Sequence, residues 1–222
     1  MSSTRRLAAI LVAGIAVALA AWWATGYLIS HPFKGEIIRG FDRPVLEYLV
    51  ERRTGVWNDV MRKVTFFGGS VVATVALAGA AVAGFAATRN PRWPAFFVGS
   101  LAGGLELPML LKEIVGRPRP QLAPLYDVST NAFPSGHATA AAVIFGAIGF
   151  ALTRNLPSRA LVVTVWVVAI LAAAAVGLSR SYLGVHWPTD VVAGWGLGVF
   201  WIVIVAAAVR PSRRPEVILR TQ

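Results

Sequence analysis

At 222 residues, 56% of them hydrophobic and only 14% charged, the chain is too apolar for an ordinary soluble domain, and its apolar residues fall in blocks long enough to cross a bilayer. A net charge of +11 would raise nucleic acid as a partner, but the basic residues sit in short connectors between apolar runs, as in inner-membrane proteins, so that partner is set aside. The absence of cysteine rules out disulfides, thiol nucleophiles and cysteine-ligated metals.

In chain order, Arg5 and Arg6 precede a first apolar run over 7–29. It is longer than a signal-peptide core and ends in Trp22, Trp23 and Tyr27, which suit an interfacial belt, so a retained first span is expected. From Ser30 to Lys63 bases are interleaved with Glu36, Asp42, Glu47, Glu51 and Asp59. Phe41, Val45, Tyr48 and Leu49 share one helical face there, so part of this segment is expected to lie along the membrane surface and shape lipid access. Five further apolar runs follow at 65–88, 95–111, 137–153, 160–178 and 189–209. Each approaches the ~20 residues a helix needs to cross the hydrocarbon core, and their Ala/Leu/Val/Gly content favours helix over strand. Gly194 and Gly198 stand at helix-packing spacing. The expected fold class is all-α: one membrane domain over 1–222, a bundle of six transmembrane helices with an interfacial helical segment between spans 1 and 2.

The connectors orient it. Arg5-Arg6, Arg89 to Arg92, Arg154 to Arg159 and the tail with Arg210, Arg213, Arg214 and Arg220 fall on one side of a six-span thread. The expected placement is therefore a multi-pass protein of the inner or plasma membrane with both termini cytoplasmic.

Three polar clusters interrupt the apolar pattern: Lys112 to Pro120, Phe133 to His137, and Gly177 to Asp190. Only a polar connector separates the first two, and two spans separate the second from the third. All three therefore emerge on one face, the extracytoplasmic one. They gather Lys112, Arg117, Arg119, Ser135, His137, Arg180, His186 and Asp190, including two of the chain's three histidines. Cations converging on a small volume suit a compact multivalent anion, and arginine's planar fork fits phosphate oxygens. Pro134-Ser135-Gly136 reads as a helix start whose free N–H groups favour an anion, with Gly136 permitting close backbone approach.

His186 and Asp190 stand four apart. If Pro188 opens the last helix, the carboxylate reaches the imidazole, fixes its tautomer and leaves the other nitrogen free to attack. His137 has no carboxylate near it in sequence, which suits protonation of a departing oxygen. The set lacks the carboxylate- or histidine-rich pattern of a magnesium or zinc site, so metal-independent chemistry without a cofactor is expected. Tyr182 and Trp187 read as interface anchors. Glu106, inside the third span, stays outside the catalytic set: it pairs with another helix, is protonated, or faces a cavity.

Lys112 with Arg119-Pro120, then Pro134-Ser135-Gly136-His137, then Ser179-Arg180 with His186 and Asp190, resemble in order and spacing the three signatures of the type 2 phosphatidic acid phosphatase superfamily, which includes vanadium haloperoxidases. The resemblance implies Lys112, Arg119, Arg180, Ser135 and the Gly136 amide as phosphate ligands. It further implies His186 as the nucleophile, Asp190 as its partner and His137 as the acid; Arg117 lies outside the signature as an accessory candidate. The implied activity is hydrolysis of a membrane lipid phosphate: a polyprenyl diphosphate, phosphatidylglycerol phosphate or phosphatidate. A non-catalytic lipid-phosphate-binding or transport protein and a vanadate-dependent haloperoxidase are the rivals.

Overall fold

The computed structural model describes Gly35 and residues 38–154 and 156–210; the expected first span lies outside them, as do Arg213, Arg214 and Arg220 of the tail. A π-helical turn at Ile38–Asp42 leads into α1 (Arg43–Glu51) and α2 (Gly55–Phe66). Five helices long and apolar enough to cross a membrane follow: α3 (Ser70–Thr88), α4 (Arg92–Val115), α5 (Gly136–Thr153), α6 (Arg159–Tyr182) and α7 (Pro188–Val209). The described residues are all-helical in their regular structure, as expected.

The span limits differ from the sequence reading in two places. The run at 65–88 is broken at Phe67–Gly69, where α2 ends and α3 begins with Gly69 as an extended N-cap. The third expected span, 95–111, extends at both ends, because Trp93 and Lys112 pack inside the bundle. Gly116, with φ of 58°, then ends α4 in the left-handed conformation that glycine adopts without a Cβ penalty.

α5 is the central helix, packed against α3, α4, α6 and α7. Its run of Ala138 to Ile144 is buried, because small side chains let four neighbours approach one axis. Gly194 and Gly198 of α7 make the closest approach: a Cβ on Gly194 would stand 2.6 Å from the Ser135 carbonyl oxygen, and one on Gly198 2.7 Å from Ala142. The spacing seen in the sequence therefore lets α7 press against the start of α5. Indole N–H groups also bridge helices, with Trp201 Nε1 donating to the Gly99 carbonyl at 2.8 Å and Trp195 Nε1 to that of Ala173 at 3.0 Å. At one end of the bundle, Trp93, Phe96 and Phe97 pack with Leu77, Ile202 and Val205.

The opposite end holds the polar residues. There α1 and α2 lie against α6, with Leu46 and Asp42 fully buried and Phe41 and Tyr48 exposed. Arg53 fastens this segment by donating to the carbonyls of Tyr182 and Ala123. Tyr182 is buried and donates to Asn58 Oδ1 at 3.1 Å, so it locks α2 onto α6 rather than anchoring at a membrane interface. Trp187 is half-buried, and its Nε1 donates to the Pro118 carbonyl at 3.0 Å.

Candidate active site

Lys112 stands in the last turn of α4, Ser135 and Gly136 open α5, Arg180 closes α6, and Asp190 lies in the first turn of α7. All four helix ends meet at one pole of the bundle. Arg92, Arg154, Arg159 and Arg210 mark the other ends of the same helices. The Ser135 N–H donates to the Asp190 carbonyl at 3.0 Å, which joins the second polar cluster to the third. Arg119 joins the first to the third, its Nη1 lying 3.1 Å from His186 Nε2 and donating also to the Val185 carbonyl. His137, in the first turn of α5, completes the group: Arg180, His186, Arg119 and Lys112 all lie within electrostatic reach of it.

The cations are held by neutral oxygens. Lys112 Nζ donates to the Asn131 carbonyl, and Asn131 Nδ2 returns a hydrogen bond to the Lys112 carbonyl at 3.1 Å. Arg119 Nε donates to the Thr130 carbonyl at 2.6 Å and Nη2 to Thr130 Oγ1 at 3.0 Å. Arg180 Nη1 donates to Thr65 Oγ1 at 2.8 Å and to the Tyr126 hydroxyl, while its buried Nε makes no hydrogen bond. None of the three forms an ion pair among the described residues. Buried cations without carboxylate partners are costly, and the cost falls when an anion enters. Ser135 caps α5, accepting from the Ala138 N–H at 3.5 Å. At Gly136 a Cβ would find nothing nearer than Pro108 at 4.0 Å, so the space over this backbone is open.

His186 is 2% exposed, and its titration is pushed well below the ordinary imidazole range, first by burial and then by the charges of Arg180, Arg119 and Lys112. The ring is neutral at neutral pH. Arginine has no acceptor, so its contact with Nε2 requires the lone pair there and places the ring proton on Nδ1. Nδ1 faces Asp190 Oδ2 at 3.6 Å, within ion-pair range but longer than a hydrogen bond, and Nδ1 makes none. Pro188 does open the last helix, as the spacing required. Its consequence is that Asp190 Oδ2 also accepts from the Trp187 N–H at 2.9 Å, capping α7 while facing the imidazole.

Arg117 does not line the cradle. Its Nη1 donates to Asp190 Oδ1 at 2.5 Å and to Thr189 Oγ1 at 2.8 Å, and its Nη2 to Asp42 Oδ2 at 2.6 Å. The sequence reading placed Asp42 only among interleaved surface acids, yet it is fully buried. Thr65, Tyr126, Thr130 and Asn131, which hold the cations, were also missed, since nothing in their spacing ties them to the signatures. Glu106 is exposed among the described residues and takes no part. Those residues hold no group of three or more His, Cys, Asp or Glu placed to bind a metal ion.

A family model described as the PAP2 superfamily matches residues 93–214. Phosphatidylglycerophosphatase B of Bacillus subtilis is 32% identical over 173 residues, covering 76% of this chain and 83% of its own. An undecaprenyl-diphosphatase of Sulfolobus acidocaldarius is 37% identical over 91 residues, covering 40% of this chain and 39% of its own. Among solved structures, a transmembrane PAP2-type phosphatidylglycerolphosphate phosphatase from Bacillus subtilis superposes with a TM-score of 0.78 at 26% identity, over 90% of this chain and 98% of that one.

Proposed function

The chain belongs to the PAP2 superfamily and is a membrane lipid phosphatase, and on that premise we propose that it cleaves a terminal phosphate from a lipid through a phosphohistidine on His186 without a metal ion. The observation that carries this reading is electrostatic. Lys112, Arg119 and Arg180 converge around a neutral His186, and none of the three forms an ion pair among the described residues, so the pocket keeps an excess of positive charge. A phosphate monoester carries close to two negative charges at neutral pH, so it offsets that excess.

In this reading Lys112, Arg119, Arg180, Ser135 and the Gly136 amide hold the phosphate oxygens, displacing the carbonyl and hydroxyl acceptors that now occupy the cations. His186 Nε2 attacks phosphorus in line. The bond to the lipid oxygen breaks, and His137 delivers a proton to that oxygen. Water then attacks phosphorus, gives its proton to His137, and frees inorganic phosphate with the His186 lone pair restored. Asp190 faces the Nδ1 proton and stabilises the positive charge that develops on the ring. The cradle's fixed charges meet the spread charge of the transition state, the largest contribution expected in phosphoryl transfer.

Phosphatidylglycerol phosphate is the first substrate to test, since the relative covered over 83% of its length is named for that activity, and undecaprenyl diphosphate and phosphatidate complete the panel. The basic connectors lie at the far pole of the bundle, which supports an extracytoplasmic site with cytoplasmic termini. A binding or transport role gives the His186–Asp190 pair no work. Phosphate release from detergent-solubilised protein tests the proposal. His186→Ala should abolish it and EDTA should leave the wild-type rate unchanged; activity lost to EDTA and restored by a divalent ion refutes the metal-free mechanism.

A further inference from the structure

Asp42 is 147 residues distant in sequence from Thr189, yet it touches the first turn of α7. Its Oδ1 accepts from the Thr189 N–H at 2.9 Å; its Oδ2 accepts from Thr189 Oγ1 at 2.7 Å and from Arg117 Nη2 at 2.6 Å. Both oxygens are used and the residue is 0% exposed. Arg117, whose side chain is 14% exposed, is thereby stretched between two buried carboxylates, with Nη2 on Asp42 and Nη1 on Asp190.

We propose that Asp42, acting through Arg117 and Thr189, is a positioning residue for the phosphoryl transfer, holding the Asp190 carboxylate in register with His186. The inference rests on the catalytic reading above.

Two physical effects follow from the arrangement. The first is geometric. Arg117 occupies Asp190 Oδ1, so the carboxylate is turned with Oδ2 toward His186 Nδ1 and the Trp187 N–H. Arg117 could fill that role only if its own guanidinium is fixed, and Asp42 fixes the other arm of the fork. The second effect is one of charge. A lone Arg117 would neutralise Asp190 and leave little attraction for a developing imidazolium. With Asp42 present, one guanidinium is shared by two carboxylates, and the trio keeps a net negative charge next to the ring that becomes positive. Lysine would not serve, since a point ammonium cannot present two parallel arms to two acids.

The surface segment that carries Asp42 thus has a part in the chemistry. It meets the site at Thr189 and Arg117, the two residues that Asp42 holds. Variants there should alter turnover and leave substrate binding alone.

The test is a double-mutant cycle on detergent-solubilised full-length protein, with phosphate release from phosphatidylglycerol phosphate as the readout and folding checked by thermal melting. Asp42→Asn should lower kcat about tenfold or more with KM little changed, and should add nothing further in an Asp190→Asn background, because the two act in one chain. Arg117→Lys should behave the same way and carries the test if Asp42→Asn does not fold. Equal losses in both backgrounds, or a folded Asp42→Asn protein with wild-type kcat, overturn the inference. If Asp190→Asn itself leaves kcat unchanged, the catalytic reading fails instead, which separates the two.

Discussion

Replacing Asp190 with asparagine removes one charge and one acceptor from a point where three donors converge. Arg117 Nη1 lies 2.5 Å from Oδ1, the Trp187 N–H 2.9 Å from Oδ2, and His186 Nδ1 3.6 Å from the same oxygen. An amide offers a single oxygen, so in either orientation its NH₂ meets a donor. A buried donor without an acceptor costs ~1–3 kcal/mol. At ~2–4 °C per kcal/mol for a chain of this size, the melting temperature should fall by roughly 2–12 °C.

The kinetic effect should be larger. With the amide oxygen on Arg117, the NH₂ faces Nδ1 and favours the tautomer that carries its proton on Nε2, where attack must occur. Loss of an orienting carboxylate of this kind lowers kcat by ~10³–10⁴-fold. The phosphate cradle does not include Asp190, so KM should stay within about threefold of wild type. Initial rates of phosphate release over a range of lipid phosphate, on protein whose melting curve shows it folded, give both constants. A change confined to KM, or a kcat within about tenfold of wild type, would refute the orienting role.

Burial keeps His186 neutral in the folded chain, while the unfolded chain takes up that proton near pH ~6.5. Stability is therefore free of this penalty above that pH and declines below it, by up to ~1.4 kcal/mol per pH unit. His186→Gln should flatten the acid side of a plot of melting temperature against pH; an unchanged slope would count against a buried neutral ring. Orthovanadate, a tetrahedral oxyanion, should raise the melting temperature, with ~2.7 kcal/mol expected at a hundredfold excess over its dissociation constant. Arg180→Gln should remove most of that shift, and an equal shift in the variant would place the anion elsewhere. Gly194→Ala puts a methyl 2.6 Å from the Ser135 carbonyl oxygen and should destabilise by ~1–3 kcal/mol, whereas Gly196→Ala meets nothing within 4 Å and should be neutral or stabilising. Equal melting shifts for the pair would contradict the close α5–α7 approach. Because the chain has no cysteine, Ser129→Cys and Ser158→Cys give clean topology probes. An impermeant maleimide should label intact cells at Ser129→Cys and not at Ser158→Cys, and the reverse pattern would invert the proposed orientation.

Much of this was written into local features of the chain. Span length follows from the bilayer's thickness, and helix follows from the need to satisfy backbone groups inside lipid, so the five spans from Ser70 to Val209 are legible from apolar runs alone. The parity of those spans places Lys112, Ser135, His137, Arg180 and Asp190 at one pole, and the structure brings them together there. Pro188 as a helix start likewise follows from residue type and position. The tertiary structure decided how the buried charges are paired. In the sequence Arg117 stands only as an accessory candidate outside the signatures, and it is the packing of α1 against α6 that brings Asp42 within 2.6 Å of it and makes it a strut between two carboxylates. Tyr182 changes from an interface anchor to a buried lock for the same reason. Helical period and hydropathy report how a segment meets its solvent, whereas the partner of a buried charge depends on which distant segment the packed helices bring alongside.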